Sequence, residues 1–103
     1  MSETAFEISD RSEVSATSNY LDADLGEESV LLQTQSWVYY GLDPLGTRIW
    51  HFIKTPRAFH EIVKWVLANY DGVTEDACRQ DLRILFQQMQ DEGLVAIKHA
   101  QMV

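Results

Sequence analysis

SWVYYGLDPLGTRIWHFI, residues 36–53, carries the change of period from which the rest of the fold is read. Trp37, Val38, Tyr39, Tyr40 and Leu42 form a strand-like run rich in aromatic side chains. At Asp43-Pro44 the pattern changes. Asp43 suits a helix cap, and Pro44 suits the first helical position, where a missing N–H leaves nothing unpaired. Leu45, Ile49, Phe52 and Ile53 then recur at helical spacing with Trp50 beside them, and Thr55-Pro56 ends the helix.

Upstream, Val30, Leu31 and Leu32 begin another strand, joined to the first through Thr34-Gln35-Ser36 as a hairpin. Residues 13–21 read as a weak strand with Val14, Ala16, Ser18 and Tyr20 on one face. The acidic stretch 22–29 with Gly26 reads as a loop.

Downstream, Phe59, Ile62, Val63, Val66 and Leu67 share one stripe of a helix over residues 58–70, followed by an Asp71-Gly72 turn. Thr74 caps a third helix, with Glu75 and Asp76 in its positively polarised first turn. Cys78, Leu82, Leu85, Phe86 and Met89 form its apolar stripe, and Gly93 is placed to end it. Leu94 to Ile97 read as a short closing strand or extended cover. Strands first and helices after predict an α+β domain, a three-stranded antiparallel sheet packed on a three-helix bundle. The predicted boundaries are a mobile acidic tail over residues 1–12, a domain over 13–97, and a C-terminal tail over 98–103.

The 103 residues suffice for one core, and 46% hydrophobic content argues against wholesale disorder. Net charge is −8, concentrated in the first thirty residues, where eight carboxylates face Arg11 alone. That balance disfavours a nucleic-acid partner. The sequence has neither a signal pattern nor a membrane-length apolar run, which predicts a cytoplasmic protein without membrane association.

Catalytic signals are missing. His51, His60 and His99 lie in different elements without metal-ligand spacing, so no metal is expected. Cys78 reads as core, and no glycine-rich phosphate loop appears, so no enzyme activity and no cofactor are expected. The unusual feature is the uncharged run TQSWVYYGL, residues 34–42. The third strand of a meander sits at an edge, and edges are usually blunted by charge, proline or a bulge. Either the run is core and cover, shielded by the third helix or the acidic arm, or its edge is kept open for an extended peptide.

The ordered set Tyr39, Tyr40, Leu42, Asp43, Gly46, Ile49 and Trp50, followed by PRAFHEIVKWVLANYDGVTEDACRQDLRILFQQMQDEGLV, resembles PqqD-type domains over roughly residues 13–97. The resemblance implies a winged helix-turn-helix-like fold that recognises ribosomally made precursor peptides. The leader peptide would add as a strand in a groove closed by the third helix. By position, Trp37, Val38, Tyr39, Tyr40 and Gly41, ending at Leu42, would be the strand wall. The flank at Arg79, Arg83, Gln87 and Gln90 would line the helix wall, with the arginines facing an acidic leader or, alternatively, pairing with Glu75 or Asp76. Ile84 falls outside both groups. The resemblance also implies a partner enzyme, such as a radical-SAM protein or a leader peptidase, and the open edge implies a monomer or weak dimer. The alternative reading is a winged-helix DNA-binding module, which the acidic third helix disfavours.

Overall fold

Asp43 and Pro44 start the first helix as the sequence predicts. In the computed structural model, which describes residues 8–99, helix α1 spans Pro44–Phe52, and the Asp43 carboxylate accepts from the Gly46 N–H at 2.7 Å. Helix α2 spans Phe59–Asn69 and helix α3 spans Glu75–Asp91. Thr74 Oγ1 accepts from Ala77 N–H at 3.2 Å, and Gly93 ends α3 at φ +74°.

Gly93 is required by its backbone, and the space beside it is tight. A Cβ there would meet the buried Gln33 amide at 2.7 Å, on a backbone that side chains rarely adopt. Gly93→Ala is therefore expected to cost about 1–2 kcal/mol in urea unfolding.

The fold class is α+β, with the strands divided between two antiparallel sheets of three rather than gathered in one. In the first sheet, β1 (Glu13–Ala16) lies between β5 (Arg57–Ala58) and β6 (Val95–Lys98). The second runs β2 (Tyr20–Leu25), β3 (Glu28–Gln33), β4 (Tyr39–Leu42). The single strand expected over 13–21 is thus two. It breaks at Thr17, whose hydroxyl leaves the strand pattern to donate to Gly93 O at 2.9 Å and accept from Asn19 N–H at 3.2 Å. The loop expected over 22–29 is a hairpin turning at Gly26, whose φ is +77°. Lys98, placed in the C-terminal tail by the sequence, pairs with Glu13 instead; residues 100–103 lie outside the described part.

Strand β2 forms despite its two aspartates because α1, the residues just after it and β3 supply their partners. Asp22 accepts from Lys54 Nζ at 2.7 Å and from the Trp50 indole at 3.2 Å. Asp24 accepts from Ser29 Oγ at 2.7 Å and lies 3.3 Å from His51 Nε2. The Lys54 hydrogen bond, outweighing desolvation, holds the Asp22 carboxyl below its ordinary pKa. Its stabilisation is therefore present at neutral pH and is lost as pH falls through the depressed folded-state value. Wild type should lose about 1 kcal/mol more than Asp22→Asn between pH 7 and pH 3 in urea titrations.

The tail expected over residues 1–12 is docked from Ile8 onward; residues 1–7 lie outside the described part. Ile8 and Ser12 are buried. The carbonyls of Ser12 and Asp10 accept from the N–H groups of Phe59 and His60, at 2.7 and 3.1 Å, and so cap α2. Burial of Ile8 and these bonds outweigh the polar composition that suggested a mobile segment. The core lies between the sheets and helices around Trp50, Phe59, Phe86, Leu31 and Ile49.

Candidate functional site: the β4 edge and the groove beside α3

Strand β4 occupies the edge of its sheet and pairs, among the described residues, with β3 alone. Gln33 N–H donates to Val38 O at 3.0 Å. Antiparallel bonding alternates from such a pair, so Tyr40 and Leu42 turn their backbone groups toward β3. Tyr39 and Gly41 turn theirs outward. These outward N–H and C=O groups are what an added strand would bond.

The strand is shorter than the sequence implied. Trp37 and Val38 lie between the turn over residues 34–36 and the strand. Gln33 organises that turn, its side-chain oxygen accepting from Ser36 N–H at 3.0 Å and its carbonyl from Trp37 N–H at 2.8 Å. Trp37 sits at φ +61°, a conformation unfavourable for a bulky residue, and is 68% exposed.

Side chains along β4 alternate. Tyr40 and Leu42 are half-buried and pack toward the core; Tyr39 and Gly41 face away. Between β4 and α3 runs a groove of two hollows, each of about 370 Å³. Tyr40, Leu85, Gln88, Met89, Glu92 and Leu94 line one. Leu45, Ile49, Asp81, Leu82, Leu85 and the start of α1 line the other. Gly41, Leu42 and Leu85 belong to both. From Asp81 to Glu92 the helix wall is roughly 16 Å long at 1.5 Å per residue. That matches about five residues of extended chain.

One end is tied. The Tyr40 hydroxyl donates to the Glu92 carboxylate across the groove, and this bond holds the Tyr40 phenol above its ordinary pKa. The charged side chains lining the groove are Asp43, Asp81 and Glu92, all acidic.

The helix wall differs from the flank chosen on sequence. Arg79, Arg83, Gln87 and Gln90 are not among the lining residues. Arg79 pairs with Asp10 and, at 3.0 Å, with Glu75; Arg83 donates to the Ile8 carbonyl at 2.9 Å and lies over the Phe59 ring. Gln87 donates to Asp91 and Gln90. Arg79 and Arg83 face the docked N-terminal segment, whose position could not be read from a polar stretch. The side of α3 that does line the groove belongs to the apolar stripe read from the sequence. Leu85 stands at one margin of that stripe, half-buried against the core, and lines both hollows.

Among the described residues, no cluster of His, Cys, Asp and Glu could hold a metal ion. Burial pushes the Cys78 thiol up, away from a reactive thiolate. His51 meets Asp24, and His99 lies 3.5 Å from Ser12 Oγ. No helix among the described residues is long and apolar enough to cross a membrane.

Residues 28–95 match the family described as Coenzyme PQQ synthesis protein D (PqqD). A comparison with curated proteins gives no match. Among solved structures, the chain is similar to that titled "TbiB1 in Complex with the TbiA(beta) Leader Peptide". The two share 29% identity over 84% of this chain and 99% of that one, with a TM-score of 0.74.

Proposed function

This chain belongs to the PqqD family, and we propose from that premise that it captures the leader segment of a ribosomally made precursor peptide. The leader adds as a strand beside β4, and the chain presents it, without catalysing anything itself, to a modifying enzyme or leader peptidase. The observation that carries this reading is the outer edge of β4, unpaired among the described residues, facing a groove against α3. TbiB1, similar in fold and sequence, is titled as a complex with a leader peptide.

Main-chain bonds to Tyr39 and Gly41 supply affinity, with Trp37 and Val38 flanking the strand, while the two hollows take alternate apolar side chains. The acidic lining favours a leader with Lys or Arg near its apolar anchors, in place of the acidic leader that Arg79 and Arg83 had suggested. Those arginines already have partners within the chain, which also leaves α3 poorly equipped to meet DNA phosphates.

The test is a titration with the chain's cognate precursor peptide, followed by NMR. Amides of Tyr39 and Gly41 and the α3 residues around Leu85 should shift; no shift at saturating peptide removes the reading. In the same titration Asp81→Lys should weaken a basic leader about three- to tenfold.

A further inference from the structure

The face of the β2–β3–β4 sheet turned away from α1 is built as an apolar surface. Asp22 and Asp24 point at Lys54, Trp50 and His51 on the α1 side. Strand alternation therefore sends Leu21, Ala23 and Leu25 to the opposite side. Register extends this across the sheet: Leu21 pairs with Leu32, which pairs with Tyr39. Leu21, Leu25 and Tyr39 are 61%, 62% and 70% exposed. The normal arrangement of a half-buried strand is reversed here, with carboxylates inward and leucines outward. A one-residue slip would bury the leucines, and four bonds to the aspartates prevent it. Contiguous exposed apolar surface on a small domain marks an interaction site.

We infer that this face docks the enzyme that acts on the captured peptide, through an apolar patch on that enzyme bordered by Lys or Arg. The inference rests on the leader-capture reading. Charge identifies the partner's chemistry. Residues 12–47 contain no Lys or Arg, while Glu27 and Glu28 stand at the turn beside Leu25. A second copy of the chain would bring the same acidic rim with no cation from its own sheet to meet it, and anionic lipid would be repelled. Position supports the same occupant. A strand added beside β4 would place its alternate side chains level with Tyr39, so the docked enzyme would touch the sheet and the guest together.

The test uses the purified full chain and the purified modifying enzyme or leader peptidase that acts on the same precursor, with enzyme binding and leader binding measured separately by calorimetry. Leu21→Ser/Leu25→Ser should lose enzyme affinity at least tenfold, and Glu27→Lys/Glu28→Lys should weaken it at low salt. Both variants should bind leader as wild type does and melt normally, since all four side chains are exposed. Unchanged enzyme affinity in the serine variant would overturn the inference. So would a wild-type dimer in sedimentation that the same substitutions convert to monomer. Enzyme binding that depends on the two leucines, in a chain that binds no leader, would support this surface and remove the groove reading.

Discussion

Tyr39→Pro is expected to abolish leader capture while leaving the domain folded, and Tyr40→Pro to unfold it. The neighbours differ because successive residues of β4 turn their backbone groups to opposite sides. The N–H of Tyr39 faces the open edge, so proline there removes a donor meant for the guest and puts its ring where the guest backbone would lie. Edge strands tolerate proline when the lost N–H faced solvent. Lost bonding and obstruction together should weaken binding at least thirtyfold, or about 2 kcal/mol. At Tyr40 the lost N–H is one that pairs with β3 opposite Leu31, and the ring would enter the sheet. A cost of roughly 3 kcal/mol or more is expected, a large share of a small domain's stability. Calorimetric titration with leader and thermal melts by circular dichroism measure both effects. Equal leader affinity in wild type and Tyr39→Pro would remove strand addition from consideration.

Leu85→Arg is the second large effect. Leu85 lines both hollows, so one substitution obstructs both and sets a cation where apolar side chains of the guest would enter. Leader affinity should fall at least a hundredfold, about 2.7 kcal/mol. The melting temperature should move little, because Leu85 is half-exposed and the arginine can extend its head group to water. A leader affinity within a few fold of wild type would place the guest elsewhere.

The helices were legible because their punctuation is local. Asp43-Pro44, Thr74 with Glu75, and Gly93 each act within one turn of the residue that they cap or end. The sheets were less legible because their partners are distant. Val14 pairs with Ile97 and Arg57, and neither the pattern of residues 13–16 nor that of 95–98 names the other. Asp22 and Asp24 looked like loop residues because aspartate disfavours strands; Lys54, Trp50 and His51, some thirty positions on, reverse that preference. The β4 edge was visible as a run without charge. On α3 the groove is lined by a different side from the flank read in the sequence, since the segment covering Arg79 and Arg83 begins at Ile8.

The three indoles occupy three different surroundings. Trp50 is sealed in the core, Trp65 stacks on Phe52 with its ring centre 5.2 Å away, and Trp37 stands in water at the entrance to β4. Intrinsic emission from this protein is therefore a positional signal. Iodide should quench the red-edge component from Trp37 first and leave the blue component of Trp50 untouched. Occupation of the neighbouring edge would then register as a colour change without any attached dye.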